Sequence, residues 1–229
     1  MNKLTAVILC GGRGERLKPF SDTLPKPLVP LLDKPLLHYL LDYLYAEGVR
    51  RFVLCIGYKA EAMRAFVAGL EERDWEVICV DSGDATMTDR IADALPHVPG
   101  RALICYGDTL ANVDLAKLLE QHELAGALAS ITVYPLHSPF GLVYFGADRV
   151  VTQMAEKPLL PYFINIGFML CEPAALTRMP RGTDLVTYLS AFIPGRELTA
   201  FVHDGRHLTV NTDKERKEAE QQLVEFFTA

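Results

Sequence analysis

The stretch from Leu9 to Pro27, LCGGRGERLKPFSDTLPKP, constrains this chain more than any other. It follows an apolar run, Leu4 to Cys10, whose length and β-branched content predict a buried parallel strand. Gly11, Gly12 and Gly14 then make a loop whose backbone can come close to a ligand, because no Cβ stands in the way. Arg13, Arg16, Lys18 and Lys26 concentrate positive charge in a chain whose formal net charge is −6. Backbone donors and focused cations at the carboxyl end of a strand suit a polyphosphate, so the stretch reads as a nucleotide loop. The plainer alternative is a glycine-rich turn with solvated basic residues. Pro19, Pro25, Pro27 and Pro30 argue against helix here and for a long ordered loop.

Two common nucleotide loops are excluded. A Walker loop needs G-x-x-x-x-G-K-[ST], which does not occur, and a dinucleotide fingerprint needs a third glycine where Leu17 stands. Downstream, strands alternate with helices. Pro35 opens a helix carrying Leu36, Leu37, Leu40, Leu41 and Leu44, and Gly48 ends it. Phe52 to Ile56 reads as a strand, 59–70 as an amphipathic helix, Val77 to Val80 and Ala102 to Tyr106 as further strands. This alternation predicts a mostly parallel sheet covered by helices on both faces.

The length of 229 residues fits one domain, with a nucleotide-binding half to about residue 125 and a second half running to the end. Net acidity argues against general nucleic-acid binding, so phosphate affinity must be local. Five cysteines, an odd number without a C-x-x-C pair, read as reduced core residues. The amino terminus offers no signal peptide, and no apolar run approaches the length of a membrane span. A cytoplasmic chain without a membrane partner is expected, with a homo-oligomer left open.

Further motifs follow in order. Asp81 to Ile91 reads DSGDATMTDRI, in which Thr86 and Thr88 offer hydrogen bonds and Thr88 is placed to cap the helix that follows. Gly107-Asp108 ends the fourth strand, where ligands collect in open α/β sheets. A carboxylate facing a basic triphosphate loop makes chemical sense with a cation between them, and Mg²⁺ suits one carboxylate plus phosphate oxygens and water. Asp114 starts a helix to about Leu124, and Ala127 to Tyr134 is a strand. Pro139-Phe140-Gly141, Glu156-Lys157-Pro158, Ile164-Asn165-Ile166-Gly167 and Val210-Asn211-Thr212 come next. From Leu198 the chain reads as two short strands and a final helix, which Asn211 is a candidate to cap. The six histidines show no metal spacing.

The string G-G-x-G-x-R-L followed by P-K-P closely resembles the sugar-1-phosphate nucleotidyltransferases, and the later motifs occur in that family's order. The resemblance implies a Rossmann-like α/β fold with a small mixed β region from the second half. It implies a loop of Leu9, Cys10, Gly11, Gly12, Arg13 and Gly14 around base and triphosphate, with Arg16 and Lys26 at the phosphates and Gly107 beside the metal ligand Asp108. Gly141, Glu156, Lys157 and Asn165 would meet the sugar phosphate, with Tyr162 or Tyr144 as further lining.

Glucose-1-phosphate cytidylyltransferases carry a similar D-T-G-x-x-T-M-T-G-G-R, which implies base contacts from Thr86, Met87, Thr88 and Arg90. In this chain Asp89 replaces the paired glycines and one residue is missing. Those enzymes have aspartate where Asn211 falls, as second metal ligand; related uridylyltransferases have asparagine, and Asp213 is the fallback. The implied reaction joins a nucleoside triphosphate, CTP by this loop, to a sugar 1-phosphate with Mg²⁺. A GTP- or UTP-dependent relative, a phosphocholine acceptor and a non-catalytic regulatory subunit are the alternatives.

Overall fold

The amino-terminal apolar run becomes the inner strand around which the chain is wound. The computed structural model describes residues 4–18 and 20–226, so Pro19 and the extreme termini lie outside the described residues. Strand β1 (Leu4–Leu9) leads into the glycine loop, a 3-10 turn at Glu15–Leu17, the short helix α1 (Phe20–Thr23) and a second 3-10 turn at Lys26–Leu28. Then come β2 (Pro30–Leu31), β3 (Lys34–Pro35), α2 (Leu36–Ala46), β4 (Arg51–Ile56), α3 (Ala60–Ala68), β5 (Glu76–Asp81), α4 (Met87–Ala94), β6 (Arg101–Tyr106), β7 (Thr109–Ala111) and α5 (Leu115–Ala125). The second half adds β8 (Ala129–His137), β9 (Leu142–Phe145), β10 (Val151–Ala155), β11 (Leu159–Cys171), α6 (Pro173–Leu176), α7 (Leu185–Ser190), β12 (Leu198–Val202), β13 (His207–Thr209) and α8 (Asp213–Phe226).

Seven strands form one sheet in the order β12-β8-β11-β6-β1-β4-β5. β1 pairs in parallel with β4 and β6, β4 with β5, and β8 with β12; β11 runs antiparallel between β6 and β8. The α/β architecture is thus the expected one, and six of the seven strands point the same way. Three strands of the second half extend the main sheet, while β9 and β10 pair only with each other.

Continuous apolarity in β1 has a direct cause: both its faces are covered. Ala6 and Ile8 pack with Leu37, Leu40 and Leu41 of α2, while Val7 packs on the other side with Ile91 and Ala94 of α4. Each fully buried aliphatic side chain there contributes about 1.5–3 kcal/mol relative to exposure. Helix α2 ends as its sequence indicates, with Gly48 at φ 90°, the conformation in which glycine carries no Cβ penalty. Asp114 caps α5 by accepting from the Lys117 amide.

Three local expectations are corrected. The proline-rich stretch is not free of helix: α1 (Phe20–Thr23) and two 3-10 turns lie within it, and Pro27 sits inside the second turn, where its fixed φ is favourable. Thr86, not Thr88, caps α4; its hydroxyl accepts from the Asp89 amide, and the Asp89 carboxylate accepts in return from the Thr86 amide. Asn211 does not cap α8: Thr212 Oγ1 accepts from the Glu215 amide, and the Glu215 carboxylate accepts from the Asn211 amide. All five cysteines are free and four are buried. Among the described residues no helix is long and apolar enough to cross a membrane.

Candidate active site

The parallel strands deliver their carboxyl ends to one edge, and there the chain opens a cleft of about 720 Å³. β1 supplies the glycine loop, β6 supplies Asp108 through the turn after Tyr106, and the link from β13 to α8 supplies Asn211. These segments are held together by the backbone: the Cys10 amide donates to Cys55 O at 2.9 Å and the Gly107 amide to Leu9 O at 3.1 Å. By contrast, the amides of Gly11, Gly12 and Arg13 meet no backbone acceptor among the described residues. They line the cleft as a row of donors of the kind that cradles anions.

At the floor, Lys26 joins the two elements. Its ammonium donates to Asp108 Oδ2 at 2.5 Å and to Asn211 Oδ1 at 2.9 Å, and Arg16 Nη2 donates to the same Asn211 oxygen at 3.3 Å. The Lys26 side chain is largely buried, so the contact is less screened than a surface ion pair. A carboxylate oxygen and an amide oxygen thus converge on one cationic centre. No cluster of three His, Cys, Asp or Glu residues with metal-binding geometry occurs among the described residues. A donor set of Asp108 and Asn211 fits Mg²⁺, which takes few protein oxygens and completes its shell with phosphate oxygens and water.

Arg90 has a different task from the one implied for it. Although it borders the cleft, its guanidinium is buried and donates to Ile56 O at 2.9 Å and Gly83 O at 2.8 Å. It lies directly against Gly11, where a Cβ would run into Arg90 Nη1. Arg90 is therefore a strut under the glycine loop, and the absence of a side chain at position 11 makes room for it. Thr88 is fully buried and joins Thr183, donating to its carbonyl at 2.7 Å. Neither Thr88 nor Thr86 is among the cleft-lining residues; Asp84, Ala85 and Met87 of that loop are. Across the mouth, Arg13 Nη2 meets Asp84 Oδ2 at 3.0 Å, with both side chains exposed.

Asp213 faces its own helix, pairing with Arg216 and Lys217 at 2.9 Å each. Those cations hold its carboxyl below the usual range, Lys217 first, and Asp213 is not among the residues that line the cleft. Burial pushes the Cys10 thiol well above its ordinary value, so it packs as a neutral group.

Gly141 and Glu156 stand side by side, with Glu156 Oε2 2.9 Å from where a Cβ of residue 141 would be. They and Lys157 are exposed and lie outside the cleft lining, as do Tyr144 and Tyr162. Asn165 is half-buried; its Oδ1 accepts from the Gly167 amide at 2.9 Å, and Gly167 (φ 79°) packs on the Tyr106 ring at the cleft wall. Four lining residues, Glu15, Asp84, Ala85 and Tyr106, escape a reading by motif. Their signal was proximity: each lies beside a motif residue in the chain.

Comparison with known proteins agrees with this architecture. The sequence profile of the family described as nucleotidyl transferase matches residues 5–181. The chain is 29% identical to the glucose-1-phosphate cytidylyltransferase of Salmonella typhimurium, over 88% of this chain and 89% of that one. It is 28% identical to a D-glycero-alpha-D-manno-heptose 1-phosphate guanylyltransferase of Campylobacter jejuni, over 67% and 69%. Among solved structures, HddC from Yersinia pseudotuberculosis superposes with a TM-score of 0.76 at 23% identity, over 96% of this chain and 99% of that one, a likeness of fold. With the profile matching most of the chain, glycine loop and Asp108 included, the chain belongs to the nucleotidyl transferase family, among its sugar-1-phosphate nucleotidyltransferases.

Proposed function

We propose that this enzyme transfers a cytidylyl group from CTP to a sugar 1-phosphate, releasing pyrophosphate. The observation that carries the reading is the meeting of Lys26, Asp108 and Asn211 beneath an unpaired row of loop amides. A sugar phosphate oxygen attacks the α-phosphorus in line, so no protein nucleophile is required. Two anions must approach each other, and Arg16 and Lys26 offset that repulsion. The loop amides orient the triphosphate, and holding the partners in line removes further barrier, on the order of 7 kcal/mol at best. Asp108 and Asn211 would hold Mg²⁺, which, when bound, neutralises phosphate charge and polarises the phosphoryl oxygens. Lys26, whose ammonium donates to both of those oxygens in the structure, would pair with the triphosphate.

Preference for CTP rests on the Asp81 to Ile91 loop and on the Salmonella relative. The guanylyltransferase relative favours a second reading, in which GTP is the donor. Gly141, Glu156 and Lys157 are assigned to the sugar phosphate: Glu156 accepts from its hydroxyls and Lys157 pairs with its phosphate. The test is pyrophosphate release with Mg²⁺, crossing CTP, UTP, GTP, ATP and dTTP against hexose and heptose 1-phosphates. Release with CTP and one sugar phosphate is expected. Release with GTP alone replaces the base assignment, and silence with every pair while nucleotide still binds rejects the activity.

A further inference from the structure

The cleft has two chemically different ends, and the glycine loop runs between them. At one end Gly14 lies against Lys26, which holds Asp108 and Asn211. At the other end Gly11 lies against Arg90, whose guanidinium carries the Gly83 carbonyl; there the loop between β5 and α4 lines the cleft with Asp84, Ala85 and Met87. Phosphates need the cations of the first end. A nucleobase needs apolar contact for its face and a polar partner for its edge, and the second end offers Met87, 41% exposed, beside Asp84.

Asp84 is out of place in a cleft built only for a polyanion, because like charges repel. Asp108 is answered there by Lys26. Asp84 meets Arg13 at 3.0 Å, in a pair whose side chains are 59% and 81% exposed. An ion pair so exposed adds little to stability, so either partner can turn to a ligand. The backbone that presents Asp84 is fixed, by contrast. The Gly83 amide donates to Asp81 Oδ1 at 3.0 Å, the Gly83 carbonyl accepts from Arg90, and Thr86 caps α4 two residues on. A carboxylate on a braced turn with a free tip is suited to reading a donor on a ligand.

The bases differ in that donor. Cytosine carries an exocyclic amine where uracil and thymine carry a carbonyl oxygen. A carboxylate accepts from the amine, whereas against the carbonyl two acceptors face each other. We propose that Asp84 is the base-reading residue of this enzyme. Its carboxylate accepts from the exocyclic amine of the base, N4 of cytosine for CTP, while Arg13 donates to the ring acceptor beside it and Met87 covers the ring. This deepens the transfer reading, on which it rests, and moves the contact with the base from Thr86 and Thr88, which lie outside the cleft lining, to Asp84.

The test removes the amine from the ligand and the carboxylate from the protein. Dissociation constants are measured by calorimetry with Mg²⁺ for CTP and for the pyrimidin-2-one ribonucleoside triphosphate, which is CTP without its amine, on wild type and Asp84→Ala. Asp84 is exposed, so the variant should keep the wild-type circular dichroism spectrum. Wild type is expected to prefer CTP by at least about tenfold, and Asp84→Ala to bind the two ligands within about threefold of each other. A structural role for Asp84 would weaken both ligands alike and keep the wild-type ratio, which overturns the proposal. Equal binding of the two by wild type, or UTP bound as tightly as CTP, also overturns it. If GTP binds in place of CTP, a preference over inosine triphosphate that disappears in Asp84→Ala upholds Asp84 as the reader, and a preference that persists overturns it. Because the readout is binding, the two readings fail separately. The expected ratios without pyrophosphate release reject the transfer and uphold the assignment; release from CTP with an unchanged ratio in Asp84→Ala rejects the assignment alone. A protein that binds no nucleotide rejects both.

Discussion

The cleft and the β9–β10 ribbon rise from the same edge of one sheet and are built in opposite ways. In the cleft, polar groups are braced: Arg90 holds two carbonyls, and Lys26 ties Asp108 to Asn211. At the base of the ribbon, Gly141, Glu156 and Lys157 stand exposed, next to apolar side chains of β9 and β10 that are themselves 48% to 74% exposed. The side assigned to the nucleotide is thus braced by the chain's own contacts. The side assigned to the sugar lacks that bracing, so its geometry depends on what is laid against it.

Variants at the two places should therefore fail differently. Asp108→Asn removes the carboxylate that Lys26 holds in the cleft and is expected to lower Mg²⁺-dependent pyrophosphate release by about 100-fold or more; full activity would reject the metal assignment. Glu156→Ala should raise KM for the sugar phosphate about tenfold with the nucleotide KM unchanged. An equal rise in both would erase the division between cleft and ribbon. Gly11→Ala forces a Cβ onto the buried Arg90 guanidinium and should cost about 1–3 kcal/mol in denaturant unfolding. A variant as stable as wild type would show that Arg90 does not brace the loop. Thr86→Ala, which loses the α4 cap, should cost about 1 kcal/mol and leave the ribbon's hydrogen exchange unaltered.

Acid should act at the seam between the two regions. His207 lies on β13, the strand that leads to Asn211, with its ring 5.1 Å from that of Tyr134 of β8 and tilted by 47° to it. Burial, and then His203, lowers its pKa from 6.5 to about 4. The unfolded chain therefore binds a proton there that the folded chain refuses, so stability is lost as pH falls from about 6.5 towards 4. His207→Gln should flatten that part of the stability curve; an unchanged curve would place the acid sensitivity elsewhere.

Much of the cleft was legible because its motifs are short and local. A strand, glycines without Cβ, Lys26 between prolines and Asp108 after Gly107 each state their role within a few residues. The cap of α8 was also written in the sequence, as the threonine and glutamate of Thr212 to Glu215. Arg90 was not legible, because its partner Ile56 comes to it only through the packing of β4 against α4, while Gly83 meets it through the loop before that helix. Nor was the ribbon's exposure, because whether a strand's face is covered is decided by the rest of the fold.

The most direct measurement compares pyrophosphate release by wild type and Lys26→Ala at saturating CTP, sugar 1-phosphate and Mg²⁺, with thermal melting of both. If Lys26 carries triphosphate charge as its place between Asp108 and Asn211 indicates, turnover falls by at least about tenfold while the variant stays folded. Turnover near the wild-type rate in a folded Lys26→Ala would contradict the account.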